Sequence, residues 1–255
     1  MRLAALSDIH GNLIAFEAAL ADLEAAGGAD IIWILGDLAA LGGRPLECIQ
    51  RVMALRESFG KDKCQVIGGN TDRYLVTGER FKTPPAADED EFRKLVAGWP
   101  NRDLVLNWSA AQLGWEEYEY LKQILGREVA LFAKGFGPVI GYHAIPGDDE
   151  ARLAPDTPDE EARDYLLDRE ARLGIGGHIH VQMDRDLGTC RVVNIGSVGL
   201  SFDMPGKAQW GLFTFEDAKL TVDLRAAPYD VDAAAAELKT VEHPDAEKLA
   251  ARLRP

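Results

Sequence analysis

Over its first 72 residues the chain alternates short apolar runs, each stopped by polar and turn-forming residues, with stretches of helical spacing. Leu3-Ala4-Ala5-Leu6 reads as a strand that ends at Ser7-Asp8-Ile9-His10-Gly11-Asn12. Behind Asn12, a residue suited to capping, Leu13, Phe16, Leu20 and Leu23 recur at helical intervals as far as Gly27-Gly28. Ile31-Ile32-Trp33-Ile34-Leu35 is continuously apolar, as in a strand covered on both faces, and stops at Gly36-Asp37. Pro45 suits a first helical position, and Leu46, Ile49, Val52 and Met53 carry that helix to Gly60. Cys64-Gln65-Val66-Ile67 then runs into Gly68-Gly69-Asn70-Thr71-Asp72. This βαβαβ order predicts an α/β fold with a parallel sheet between helices, its ligands bound beyond the carboxyl ends of the strands. Asp8, His10, Asp37 and Asn70 all fall at such ends.

The rhythm changes from residue 74 to about 134. Two helical patterns, near 88–97 and 110–125, replace the alternation, punctuated by Pro84-Pro85 and Trp99-Pro100. They predict a helical insertion packed near the mouth of the site as a specificity cap. Trp99, Trp108 and Trp115 would equally serve a small core of its own. Strands then return. Val139-Ile140-Gly141-Tyr142 leads to His143, Leu173-Gly174-Ile175-Gly176 leads to Gly177-His178-Ile179-His180, and Arg191-Val192-Val193 leads to Asn194-Ile195-Gly196-Ser197. Thr157-Pro158-Asp159-Glu160 has the form of a capping box opening a helix to about Arg172. Residues 211–215 and 220–224 suggest a hairpin, followed by two short helices. With no internal repeat, a single domain over residues 1–255 is expected.

An apolar fraction of 47% supplies a sizeable core. No apolar run approaches the roughly 18 residues a membrane span needs, so no membrane partner is expected. A strand stands where a secretory signal would need a longer apolar segment, and a cytoplasmic protein is expected. Cys48, Cys64 and Cys190 are odd in number and widely spaced, which suits reduced core thiols. The net charge of −14 excludes an extended nucleic-acid surface but not a small phosphorylated substrate beside bound cations. Between Asp148 and Glu170 ten acids face three arginines, the composition of a solvated helix and its leading loop.

The candidate chemistry lies in the polar strand ends. Four of the five histidines (His10, His143, His178 and His180) follow a short apolar run, as do Asp8, Asp37 and Asn70. Carboxylate, amide and imidazole donors gathered beyond one set of strands suit divalent transition metals. His243, before Pro244 in a polar tail, fits no such pattern and is expected at the surface.

Asp8-x-His10, Gly36-Asp37, Gly69-Asn70-x-Asp72, His143 and Gly177-His178-x-His180 together resemble the calcineurin-like metallophosphoesterases. The closest likeness is to the bacterial and archaeal branch whose first motif reads Ser-Asp-Ile-His-Gly-Asn. Asn194-x-Gly-Ser-Val-Gly199 and Pro228-Tyr-Asp-Val231 extend the likeness over nearly the whole chain. The resemblance implies a four-layer α/β/β/α sandwich with a dinuclear centre of two divalent ions (Mn, Fe, Ni, Co or Zn). By motif, Asp8, His10, Asp37 and His180 would hold one ion, and Asp37, Asn70, His143 and His178 the other. Asp37, Asn70 and His143 would be the residues on which catalysis depends. It further implies a hydrolase that cleaves small phosphodiesters or phosphomonoesters through a metal-bridging hydroxide. The alternatives are a phosphoprotein (Ser/Thr) phosphatase and a non-catalytic metal-binding interaction module. Asn12 and Arg73, beside the ligands, are candidates for holding phosphate oxygens. One position departs from the family: Thr71 stands where many members carry a histidine that assists the leaving group, and threonine cannot deliver a proton near pH 7 as imidazole does. Oligomeric state is left open by all of these features.

Overall fold

A computed structural model of the chain describes residues 1–81 and 84–255, with residues 101 and 102 as backbone. The predicted βαβαβ unit is present as β1 (Arg2–Leu6), α1 (Leu13–Ala25), β2 (Ile31–Leu35), α2 (Pro45–Phe59) and β3 (Cys64–Ile67). Asn12 caps α1 by accepting the Ala15 N–H, and Pro45 occupies the start of α2. α3 (Asn70–Thr77) begins directly at the third motif, followed by α4 (Glu89–Ala111) and α5 (Trp115–Ile124). Then come β4 (Val129–Ala133), β5 (Gly137–Gly141), α6 (Asp159–Leu167), β6 (Leu173–Gly176), β7 (Gln182–Asp186) and β8 (Arg191–Ile195). The chain closes with the long hairpin β9 (Lys207–Glu216) and β10 (Lys219–Pro228), then α7 (Val231–Thr240) and α8 (Ala246–Leu253).

The strands form two five-stranded sheets, ordered β10-β9-β1-β2-β3 and β4-β5-β6-β8-β7. In the first, β1, β2 and β3 are parallel and the hairpin adds on antiparallel. In the second, β5, β6 and β8 are parallel between antiparallel edges. Alternation along each strand decides the layers. Leu3, Ala5, Trp33, Leu35 and Ile67 face Val139, Leu173, Ile175, Val193 and Ile195 across the inter-sheet core. Ala4, Leu6, Ile32 and Ile34 point the other way, onto Phe16, Ala19, Ile49 and Val52 of α1 and α2. Ile140 and Val192 meet Ala162 and Leu166 of α6 on the outer face of the second sheet. The result is the expected four-layer α/β/β/α sandwich.

Three expectations are corrected. The stretch from 74 to 134, whose residues 82 and 83 lie outside those described, ends in a strand rather than a helix: β4 pairs with β5. Trp99-Pro100 does not break the chain, because α4 runs through Pro100 for 23 residues. The lost backbone bond costs about 3 kcal/mol, and burial of Val105 and Leu106 beyond it offsets that cost. The capping box at Thr157 does not form: its hydroxyl accepts from Ala154 N–H at 3.0 Å instead, and α6 carries Asp159, Glu160 and Glu161 at its positive end and stops at Leu167.

The inter-sheet core sets how far apart the two halves of the site lie. Trp33 is fully buried there, its indole N–H donating to Gln65 at 3.0 Å. Trp33→Ala is expected to cost roughly 3–5 kcal/mol of unfolding free energy, read from urea titration. An unchanged midpoint would mean that the sheets do not depend on this contact.

Candidate metal centre

Each predicted donor sits just beyond the carboxyl end of a parallel strand. Asp8 and His10 follow β1, Asp37 follows β2, Asn70 opens α3 after β3, His143 follows β5, and His178 and His180 follow β6. The two sheets therefore meet at one centre, and all seven side chains are drawn into it. Five of them (Asp8, His10, Asp37, His178 and His180) have φ between 48° and 71°. A left-handed backbone at a residue with a Cβ costs of order 1–3 kcal/mol, and it turns each side chain sharply inward from its strand. The loops are tied to one another: Asp8 N–H donates to Gly36 and His10 N–H to Asp37, both to carbonyls. Gly177 permits the closest approach, since a Cβ there would collide with the Ser7 and Asp8 side chains.

Three imidazoles are fixed in one orientation. Nδ1–H of His10, His143 and His180 donates to the carbonyls of Ala40, Leu35 and Leu200 at 3.0, 2.7 and 2.7 Å. Each Nε2 is thereby turned to the centre. His10 Nε2 and His180 Nε2 confront each other at 2.9 Å. Asp8 Oδ1 lies 3.2 Å from His180 Nε2 and 3.6 Å from His10 Nε2, buried and with no hydrogen-bond partner. Asn70 Oδ1 lies 3.0 Å from His143 Nε2 and 3.1 Å from His178 Nδ1. Asp37 Oδ2 stands between the halves, 3.6 Å from His10 Nε2 and 3.5 Å from His143 Nε2. The other oxygens are oriented by backbone, Asp8 Oδ2 by His178 N–H at 2.8 Å and Asp37 Oδ1 by Thr71 N–H at 2.9 Å.

With the imidazoles neutral, lone pairs converge here without enough hydrogens to separate them, and a divalent cation is the group that this donor set fits. Asp8, His10 and His180 offer atoms all within 4.8 Å of one another, and so do Asp8, Asp37 and His143. Electrostatics agree. Burial opposes ionisation of Asp8 and Asp37, yet the facing histidines hold both below the usual carboxylate range. Burial likewise works against charge on His143, but Asp37 and Asp8 outweigh it and push the imidazole up to about 10. His178 is lowered by burial and by His143.

The neighbouring residues divide differently from the sequence expectation. Asn12 is spent on structure, its amide donating to Gly199 at 2.9 Å and its oxygen capping α1. The Arg73 guanidinium is gripped by Asp149 through two bonds of 2.8 Å, by Glu150 at 2.6 Å and by Glu79. Asp72 accepts N–H bonds from Asp37, Leu38 and Gly69 at 2.8, 3.0 and 3.0 Å and so ties the second motif loop to the third. Burial and the Asp37 charge push Asp72 up to about 7, while the amides of Gly69 and Leu38 stabilise its charged form. His243 is not at the surface: it is buried, with Trp108 edge-on at 4.8 Å between ring centroids. No local pattern announces it, because the tail containing it is polar and the covering α4 is remote in sequence.

The model of the calcineurin-like phosphoesterase superfamily domain matches residues 1–217. An uncharacterised protein of Methanocaldococcus jannaschii is 27% identical over 245 residues, 90% of this chain and 88% of that one. The crystal structure of a metallophosphoesterase from Sphaerobacter thermophilus superposes with a TM-score of 0.73 at 24% identity, covering 99% of this chain and 98% of the other. The symmetrical bis(5'-nucleosyl)-tetraphosphatase of Klebsiella pneumoniae is 30% identical over 110 residues, 42% of this chain and 36% of that enzyme.

The Asp72 arrangement carries a direct expectation. Asp72→Ala leaves three buried amides without acceptors, at about 1–3 kcal/mol each. It should lower the melting temperature of chelator-treated protein markedly, whereas Asp72→Asn, which keeps one acceptor oxygen, should fall between. Equal melting temperatures for all three proteins would show that the loops are held by other means.

Proposed function

The chain belongs to the calcineurin-like phosphoesterase superfamily, and from that premise we propose that it hydrolyses small phosphodiesters or phosphomonoesters with two divalent transition-metal ions. Asp8, His10, Asp37 and His180 would hold one ion, and Asp37, Asn70, His143 and His178 the other. The observation that carries this reading is the position of Asp37 Oδ2, 3.6 Å from a histidine of one group and 3.5 Å from a histidine of the other. Ions of the Mn, Fe, Co, Ni or Zn type, when bound, bring water into the range where hydroxide forms near neutral pH and draw charge from the phosphoryl oxygens.

The chain's own residues support water as the attacking group. Ser7 Oγ donates to the Leu35 carbonyl at 3.1 Å and Ser197 Oγ to the Asp8 carbonyl at 2.8 Å, so both are engaged with backbone. Thr71 Oγ1 is buried with no partner, hence with no base bonded to it. The three cysteines are free and buried, and burial pushes the Cys48 and Cys64 thiols up, which removes them as thiolates. Burial of Asp8 and Asp37 in a shared centre keeps bulk water from screening their charge. A small substrate, rather than a phosphoprotein, is favoured by the cavity of about 360 Å³ that opens beside Asn70 and Thr71. Likeness to a tetraphosphatase over part of the chain places dinucleoside polyphosphates in the substrate screen. No helix among the described residues is long and apolar enough to cross a membrane. A cytoplasmic setting belongs to the same proposal and accords with the three free thiols.

Two outcomes test this reading. Asp37→Ala should lower turnover by about 10²–10³-fold or more and reduce the metal content of both sites, measured by elemental analysis. Full activity of the wild type in excess chelator would refute the assignment. Metal binding should also release protons. His143, held up to about 10, is protonated in metal-free protein at pH 8 and must give up its Nε2 proton to act as a ligand. Calorimetric titration of chelator-treated protein in buffers of different ionisation enthalpy should therefore show net release at pH 8, growing smaller as the pH is raised through 10. Heats independent of the buffer would exclude His143 as a ligand.

A further inference from the structure

The cavity beside the metal centre has features that the metal ligands do not use. It runs from Asn70 and Thr71 outward between α4 and the carboxyl-terminal segment of residues 243–252, with apolar walls formed by Leu41, Tyr74, Phe81 and Leu249. At about 360 Å³ it is of a size to enclose a small organic group. Two buried polar atoms on its lining make no well-formed hydrogen bond: Thr71 Oγ1, and His243 Nε2, whose ring has only the Leu41 backbone beside it as a weak acceptor. His243 is 5% exposed. Its Nδ1 accepts the Asp245 N–H at 3.1 Å, which leaves the hydrogen of the neutral ring on Nε2. A buried donor left with so weak a partner is better satisfied when a ligand supplies an acceptor.

The cavity lining also carries Lys248 and Arg252, one turn apart on α8. Asp245, on the same lining, lies 3.4 Å from Lys248. Arg252 has no carboxylate partner among the described residues, so the mouth keeps an unbalanced positive charge in a chain of net charge −14. His243, Asp245, Lys248 and Arg252 all lie beyond residue 217, where the superfamily match ends.

We propose that this cavity receives the ester group of a substrate with two anionic ends: a phosphoester at the metal centre, a flat or apolar body between the walls, and a second phosphate or carboxylate at Arg252 and Lys248. Thr71 Oγ1 and His243 Nε2 hydrogen-bond the body near the scissile oxygen. The inference rests on the phosphoesterase reading and names the class of substrate that the same site selects.

The test compares phenyl phosphate with 4-carboxyphenyl phosphate, and the phenyl and 4-carboxyphenyl esters of methylphosphonate, in wild type and in the exposed-site double variant Lys248→Ala/Arg252→Ala. Wild type should favour the carboxylated ester in kcat/KM by about tenfold, equivalent to 1.4 kcal/mol, and the double variant should lose that preference. The preference should shrink as salt is raised. Independently of turnover, calorimetry with 4-carboxyphenyl phosphate in chelator-treated protein should show binding that the double variant weakens. The ¹⁵N resonance of His243 Nε2 should move on the same addition. Equal preference in both proteins, or a His243 signal that does not move, would overturn the proposal. If no ester is turned over with any metal, the phosphoesterase reading fails alone, and the binding and resonance arms still decide whether the cavity takes such a ligand.

Discussion

Two carboxylates and four imidazoles withdrawn from water into one small volume form the constraint that the remainder of the molecule answers. Left to themselves these groups would solvate separately, since burying a charge or an unpaired lone pair is costly. The protein holds them together from behind: carbonyls of Ala40, Leu35 and Leu200 take the outward hydrogens of three histidines, and backbone amides take one oxygen each of Asp8 and Asp37. Once the imidazoles are neutral, what faces inward is almost entirely acceptor, which is why the centre suits a cation that displaces their protons.

Strain is the second part of the same answer. A strand end gives a side chain only two directions, into the sheet face or away from it. Five of the donors escape that choice through left-handed backbone, an arrangement that persists only where the surroundings over-determine it. The surroundings here are the inter-sheet core beneath and the cross-loop bonds around, with the Asp72 carboxylate joining two of the motif loops. Thr71 and Asp72 therefore do unlike work although adjacent, the hydroxyl lining the open cavity and the carboxylate closing the loops.

The overall negative charge and an anionic substrate are reconciled by locality. The acids between 148 and 170 include two of the partners of Arg73 and are distant in sequence from the carboxyl-terminal segment that lines the cavity. In that segment a helix supplies Lys248 and Arg252 to the cavity lining, and Leu200 joins the segment to the centre. Its carbonyl orients His180 while its side chain packs among Leu238, Leu249 and Leu253 of the closing helices. One residue thus touches both the tail and a candidate ligand.

The sequence by itself determined the strand ends and what they carry. Period, punctuation and motif order identify β1, α1, β2, α2 and β3, and place Asp8, His10, Asp37 and Asn70 beyond them, because parallel-strand topology leaves no other location for those residues. It also determined the four layers, through the resemblance carried by the motifs. Tertiary structure alone decided the rest, for a common physical reason: these features depend on contacts between segments far apart in the chain. Pairing with β5 makes a strand of Val129–Ala133, and packing beyond Pro100 keeps α4 whole. Two remote carboxylates, Asp149 and Glu150, engage Arg73, and the remote Gly199 carbonyl takes the amide of Asn12. His243, a solitary histidine in a polar tail, acquires its buried place beside the centre only because Trp108, more than a hundred residues earlier, folds over it.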